Sequence, residues 1–319
     1  MPDDIMSNVE ILEFSELSPL PYKNSCITIG NFDGVHRGHQ AIIQRMVREA
    51  DLSKRPVLVV TFFPSPADYF NGEETPYYLS SPQEKEEQLL QLGVDAVIVF
   101  KFNRGFANLT PEQFLLGLKE NLGLATLMVG HDFALGKHRT GTLSVLRTIG
   151  DTLSFDVEVI PPVTNNAEEI SSTRIRQDLD VGDVRSAALL LGRPYRINGV
   201  VSHGSDRGSR IGLPTANLIP WPKKKLPAIG VYATLMDLKG ATYQGITNVG
   251  LRPTFETQEQ PNIETHLLDF DGNIYGETVS LHFLEKIRDE RKFSGVDELL
   301  AQIERDKVTA SRIFNNDET

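Results

Sequence analysis

Among its 319 residues the chain has a single cysteine, Cys26. No disulfide can close within it, and the apolar run around Cys26 marks the thiol as a small buried side chain. Positive charge is also scarce: 32 Lys and Arg stand against 43 Asp and Glu, for a net charge of −11. That balance excludes a broad basic face, and with it extended binding to nucleic acid or to an anionic membrane surface, so any phosphate site must be made locally. No apolar run approaches the ~20 residues of a membrane span, and Met1-Pro2-Asp3-Asp4 is not a basic segment leading into an apolar one, so a cytoplasmic protein is expected. Internal repeats, low-complexity segments and a Walker-type phosphate loop are all missing. What is present is ordinary globular composition, 40% hydrophobic and 24% charged, in a chain long enough that two domains are the first expectation.

The two halves have different patterns. From Cys26 to about Ile160, short β-rich runs (Cys26 to Gly30, Val57 to Phe63, Ala96 to Phe100, Ala125 to Gly130, Asp156 to Ile160) alternate with helical patterns. Ser81-Pro82-Gln83-Glu84 and Thr110-Pro111-Glu112-Gln113 read as capping boxes with proline at the first helical position. Ile42, Ile43, Met46, Val47 and Ala50 recur at helical spacing. Strand and helix in alternation imply a parallel, helix-covered sheet. Asp183 to Leu191 reads as a linking helix. Beyond it, closely spaced runs (Tyr195 to Ser202, Gly230 to Asp237, Thr242 to Asn248, Ile263 to Asp269, Glu277 to Phe283) suggest a small antiparallel barrel. Leu238-Lys239-Gly240 and Asp271-Gly272-Asn273 both look like hairpin turns, and a helix from Gly295 to about Asp306 follows. The expected domains are 1–185 and 186–319.

The most informative segment is Gly30-Asn31-Phe32-Asp33-Gly34-Val35-His36-Arg37-Gly38-His39. Two imidazoles three apart in a first helical turn share a face, next to unpaired N–H groups and the positive dipole end. The glycines let main chain approach a ligand closely. Such a place suits a polyphosphate. The stretch resembles the HxGH signature of the nucleotidyltransferase superfamily, in the long form of prokaryotic FAD synthetases. Gly130-His131-Asp132-Phe133 is similar to that family's GxDF/GxNF segment, and Ile170-Ser171-Ser172-Thr173-Arg174-Ile175-Arg176 to its ISSTxIR motif. The resemblance implies adenylyl transfer, with His36 and His39 stabilising phosphate charge and with Gly30, Asn31, Phe32, Asp33, Gly34, Asp132, Ser172, Thr173 and Arg174 binding ATP. Asn31 and Asp33 take a positioning role, and Asp132 a structural or nucleotide-positioning one. Lys137, His138 and Arg139 read as a solvated basic loop.

In the second half, Gly204, Arg207-Gly208 and Gly212-Leu213-Pro214-Thr215-Ala216-Asn217-Leu218 resemble the riboflavin kinase signature, a glycine-rich flap followed by PTAN. The resemblance implies ATP binding at Gly204, Arg207 and Gly212. Thr215 and Asn217 offer hard oxygen ligands suited to Mg²⁺. Glu264, in a segment matching the family's ETHLLDF-like strand, is the implied base. Arg288, Glu290 and Phe293 would help hold the flavin. His203, His266 and His282 are read as core or surface residues, His266 being the one worth mutating, and Lys223-Lys224-Lys225 as a solvated loop.

Together the motifs, spread from about Ile27 to Asp306, resemble one bifunctional family, prokaryotic riboflavin kinase/FMN adenylyltransferase. Membership implies a Rossmann-like domain followed by a flavokinase barrel, with riboflavin, FMN and ATP as substrates and Mg²⁺ serving both reactions. Two rivals make different predictions. A nucleotidyltransferase for another phosphorylated small molecule, with an inactive barrel, would make only one product. A flavin carrier would make neither.

Overall fold

Six apolar runs build a parallel sheet in the first part of the chain: β1 (Ile11–Leu12), β2 (Ser25–Ile29), β3 (Val57–Phe63), β4 (Ala96–Lys101), β5 (Leu124–Gly130) and β6 (Asp156–Ile160). A computed structural model describes residues 9–72, 77–161, 164–165, 168–202, 214–252 and 260–317. Contacts divide the chain into two compact units, one reaching Ser171 and the other running on from Ser172.

In the first unit the strand order is β1-β4-β3-β2-β5-β6, and every neighbouring pair is parallel. Parallel strands covered on both faces read as near-continuous apolar runs, and β2 is buried at all five positions. The helices are α1 (Arg37–Ser53), α2 (Pro66–Asn71), α3 (Pro82–Gln91), α4 (Arg104–Ala107), α5 (Pro111–Leu122) and α6 (Leu143–Leu153). Ile43, Met46 and Ala50 of α1 and Leu89 of α3 pack on one face of the sheet against Cys26, Val59 and Met128. Phe114, Leu115, Leu118 and Leu122 of α5 and Leu146 of α6 cover the other. Both expected capping boxes are formed, Ser81 with Glu84 and Thr110 with Gln113. The two-residue edge strand β1 was not expected, being too short to carry a period. The pair Thr164–Asn165 and Glu168–Glu169, β7 and β8, forms a separate small ribbon.

The second unit begins with α7 (Ser172–Asp180) and α8 (Val184–Leu191), the latter capped by the Asp183 carboxylate on Ser186 N–H. Six strands follow: β9 (Tyr195–Ser202), β10 (Ala216–Pro220), β11 (Gly230–Leu238), β12 (Ala241–Arg252), β13 (Gln260–Leu267) and β14 (Thr278–Arg288). They close in the order β10-β13-β12-β11-β14-β9. β9 alternates buried and half-buried positions along its whole length, as a barrel wall requires. Inside the barrel, the hydroxyls of Thr234, Thr247 and Thr265 link at 2.8 and 2.9 Å, so none is buried unpaired.

Three expectations need correction here. Lys239 and Gly240, both left-handed at φ 51° and 83°, do make the β11–β12 hairpin. Asp271-Gly272-Asn273 makes none, because β13 pairs with β10 and β12 and never with β14. The last helix, α9 (Val296–Asp317), runs well past Asp306 because Ala310 and Phe314 continue its apolar stripe onto Val231, Ala233, Ile246 and Leu284. Lys224 is not solvated: it is 3% exposed, with its ammonium 5.0 Å from the centre of the Tyr195 ring, and Lys225 binds Asp180.

Candidate functional site

In the first unit the chain runs outward from β2 through β3 to β4, then returns to add β5 and β6 on the other side. The crevice where the order reverses, at the carboxyl ends of β2 and β5, is where such sheets bind ligands. The loop after β2 occupies it. Phe32, Gly34 and Val35 all take left-handed backbone, at φ 50°, 79° and 40°. For Phe32 and Val35 this costs on the order of 1–3 kcal/mol each and persists only where surroundings fix it.

The fixings are visible. Asp33, 1% exposed, accepts hydrogen bonds from the N–H groups of Leu79 and Ser80, both at 3.1 Å. Gly34 N–H donates to Ser80 Oγ at 2.9 Å, and Gln40 Nε2 to Val35 O at 2.8 Å. Lys85 Nζ donates to Asn31 O at 2.9 Å and to Thr61 Oγ1 at 3.0 Å. Asp33 is therefore a fastener of the loop.

The loop delivers His36 as the N-cap of α1, its Nδ1 accepting from His39 N–H at 3.3 Å. The two imidazoles stack, with centroids 3.6 Å apart and 17° between planes. The glycine between them leaves the ring room: a Cβ on Gly38 would lie 3.1 Å from both Cε1 and Nδ1 of His36, and the ring would have to shift by a few tenths of an ångström. Burial, reinforced by the nearby charges of His36 and Lys85, holds His39 well below the usual imidazole range, so the ring is neutral at neutral pH. Its Nδ1 is buried with no hydrogen-bond partner, and so is Asn31 Oδ1. Unmet buried polar groups cost about 1–3 kcal/mol each and mark places that a ligand completes.

Asp132 stands exposed in the turn after β5, level with this loop across the β2–β5 pairing. Its carbonyl accepts from Arg139 Nη2 at 3.0 Å, and Arg139 stays exposed, as the solvated-loop reading expected. Ser172, Thr173 and Arg174 form the first turn of α7 and group by contacts with the second unit.

In the second unit the candidate residues lie on the outer wall of the barrel. Ile263, Thr265 and Leu267 of β13 face inward and are buried, which turns Asn262, Glu264 and His266 outward. Glu264 lies across from Asn217 of β10 on one side and Asn248 of β12 on the other. Asn262 Nδ2 donates to Glu264 Oε1 at 2.8 Å, and His266 Nδ1 lies 3.0 Å from Pro214 O, tying this strand to the start of PTAN.

Thr215, Asn248, Glu264 and His266 line a cavity of about 280 Å³ together with Ile246, Leu299 and Ile303. Arg288, Glu290 and Phe293, the residues that the resemblance assigns to the flavin, border it too. Arg288 is held by a two-pronged bond to Asp306 of α9, Nε at 3.0 Å and Nη2 at 2.8 Å, with Asp306 only 2% exposed. Phe293 lies under the guanidinium groups of Arg291 and Arg288, at 4.8 and 5.7 Å. Glu290 Oε1 accepts from Asn248 Nδ2 at 3.1 Å. A second cavity of about 130 Å³, between Leu267, Phe270, Ile274 and Tyr275, meets the first at Thr215. Gly204, Arg207, Gly212 and His203 lie outside the described residues. His282 is a wall residue bonded to Asp237 at 2.8 Å.

Motif reading did not single out Lys85 or Asp306, and it gave no role to Arg291, which lies within the Arg288-to-Phe293 motif. No local pattern announces the first two: Lys85 sits in a capped helix, and Asp306 on the polar edge of an amphipathic one.

A doubly wound sheet with an HxGH turn at its switch point, and a barrel with a carboxylate facing a deep cavity, define a two-part nucleotide-dependent transferase. Family models agree on both parts: FAD synthetase matches residues 20–174 and riboflavin kinase residues 191–314. The bifunctional riboflavin kinase/FMN adenylyltransferase of Bacillus subtilis is 38% identical over 98% of this chain and 99% of its own length. Those of Escherichia coli K12 and Haemophilus influenzae are 39% and 41% identical, over 93% and 91% of this chain and 95% and 94% of theirs. A crystal structure titled as a macrolide-efflux protein from Streptococcus pneumoniae superposes with a TM-score of 0.86 at 33% identity, covering 95% of this chain and 98% of that one. The chain belongs to the bifunctional riboflavin kinase/FMN adenylyltransferase family, and it makes FMN from riboflavin and FAD from FMN, with ATP as co-substrate.

Proposed function

We propose that the two reactions are divided between the two units, with the boundary in the helical stretch 172–191 that contains the expected break at Arg185. One observation carries this reading: the buried histidine pair lies in one unit and the Glu264 row in the other.

In the kinase half, Glu264 accepts the proton of the riboflavin primary hydroxyl as that oxygen bonds to the γ-phosphorus of ATP. The bond between that phosphorus and the β,γ-bridging oxygen breaks, and ADP leaves. The larger cavity takes the flavin between Ile246, Leu299, Ile303 and Phe293, with Arg288 and Glu290 at its border. The smaller one suits the base of ATP, because phosphoryl donor and acceptor must meet and the cavities share Thr215. Gly204, Arg207 and Gly212 of the flap take the phosphates. The hydroxyl of Thr215 and the amide oxygen of Asn217 would hold Mg²⁺. A hydroxyl and an amide oxygen are neutral hard donors, which fit a hard cation that draws its other ligands from phosphate and water. That ion would neutralise phosphate charge in the kinase reaction, and Mg²⁺ bound with ATP would do so in the adenylyltransferase half.

In the adenylyltransferase half, an FMN phosphate oxygen bonds to the α-phosphorus of ATP, the α,β-bridging bond breaks and pyrophosphate leaves. No covalent protein intermediate is needed. His36 and His39 stabilise the phosphates by hydrogen bonding, and the Gly30–Gly34 turn, with Asn31, Phe32 and Asp33, positions the reactants. Asp132 positions the nucleotide, and Ser172, Thr173 and Arg174 serve the β- and γ-phosphates. Both steps belong in the cytoplasm. The efflux activity in the pneumococcal title is not carried over: the curated relatives name flavin enzymes, and no helix among the described residues is long and apolar enough to cross a membrane.

The test supplies each substrate separately to two variants. Glu264→Gln is expected to lower FMN formation by roughly a hundredfold or more while converting supplied FMN to FAD at nearly the parent rate. His39→Ala should show the reverse. Equal loss of both products in either variant overturns the division.

A further inference from the structure

Lys85 is 4% exposed, and removing an ammonium group from water is expensive unless a counter-charge or full hydrogen bonding compensates. Here neither is complete. An ammonium has three protons to donate, and Nζ places two, on the neutral oxygens Asn31 O and Thr61 Oγ1. Lys85 forms no ion pair among the described residues. Asp33, whose charge favours the ammonium, is already bonded to the main chain of Leu79 and Ser80.

Two features place this cation at the adenylyltransferase site. It holds the carbonyl of Asn31, whose own Oδ1 is buried without a partner. Its charge also acts on His39, whose Nδ1 is equally unpartnered. A buried cation lacking a counter-ion, beside the unpartnered imidazole nitrogen of His39 and the N-terminus of the 17-residue helix α1, describes a site missing an anion.

We propose that Lys85 is a positioning residue of FAD formation, fixing the Asn31 carbonyl and supplying the buried positive charge that the polyphosphate of ATP neutralises on binding. The proposal rests on assigning adenylyl transfer to the histidine pair. It adds a source of charge that the neutral His39 ring does not supply, and it explains why the loop tolerates an unpaired ammonium.

The groups facing Lys85 are Asp33 from the loop after β2, His39 with His36 stacked on it from α1, and Thr61 from β3. Burial lowers the ammonium to about 8, with Asp33 acting in the opposite direction. The free enzyme therefore loses this charge as pH rises through that value, and kcat/KM for ATP, which reports free-enzyme ionisations, should fall with it.

The experiment measures conversion of FMN to FAD between about pH 7 and about 9.5 for the parent, Lys85→Met and Lys85→Arg, with riboflavin phosphorylation as internal control. Lys85→Met should lower kcat/KM for ATP in FAD formation by roughly a hundredfold at neutral pH, yet melt no lower than the parent, since it removes an uncompensated buried charge. A lysine with a merely structural role would lower the melting temperature instead. Lys85→Arg should retain reduced activity without the alkaline fall, because guanidinium stays charged. The proposal is overturned if Lys85→Met stays within about twofold of the parent, if the parent shows no alkaline fall, or if Lys85→Arg keeps it. Should Lys85→Met fail to fold, the parent and arginine profiles decide. His39→Ala separates the two levels. If it also retains FAD formation, the site assignment fails; if it loses FAD formation while Lys85→Met does not, only the role of Lys85 fails.

Discussion

His39 is neutral because it is buried beside His36 and Lys85, and that neutrality has a consequence for stability. The unfolded chain binds a proton at this imidazole near its ordinary value of 6.5, and the folded chain resists doing so until far lower pH. Between those points the unfolded state holds more protons, so stability falls as pH drops below the usual imidazole range. His39→Gln, which cannot take that proton, should flatten the acid side of the melting-temperature profile. Parallel profiles for parent and variant would contradict a depressed His39. At this scale much was legible in advance. The stacked pair follows from two histidines three apart at a helix start, and Gly38 from the need to clear the His36 ring. Lys85 was not legible, because nothing in Pro82-Gln83-Glu84-Lys85 distinguishes a lysine that ends up against Asn31 and Thr61 from one in solvent.

At the scale of elements, local chemistry was readable and pairing was not. The capping boxes at Ser81 and Thr110 are satisfied within one turn and need no tertiary information. β10 escaped notice as a strand because only five residues, ending in Pro220, separate a glycine-rich stretch from a tryptophan. It exists because β9 and β13 flank it. Asp271-Gly272-Asn273 has turn composition, yet composition cannot say which strands the turn joins. Helix α9 shows how an element borrows its stability from elsewhere. Asp306 receives Arg288 Nε and Nη2 and Gln302 Nε2 at 2.7–3.0 Å. Asp306→Ala would leave Arg288 without its counter-charge at the edge of the larger cavity, and should destabilise the second unit by about 3 kcal/mol. Chemical denaturation followed by the loss of FMN formation measures this. Conversion of supplied FMN to FAD should continue below the transition, and a change under about 0.5 kcal/mol would mean the ion pair is dispensable.

For the whole molecule, the shift from alternating strand and helix to closely spaced strands reported two architectures before any fold was seen. Sheet order added what composition could not, by placing the HxGH loop at a topological switch point. It also put Glu264 between two asparagines on the outside of a closed barrel. On the proposed division each unit carries its own nucleotide chemistry, and each must then bind its own ATP. Calorimetric titration of the intact chain with a non-hydrolysable ATP analogue and Mg²⁺ tests this most directly. The account predicts two adenine nucleotides bound per chain, one of them weakened by His39→Ala and the other untouched; saturation at a single nucleotide per chain would contradict it.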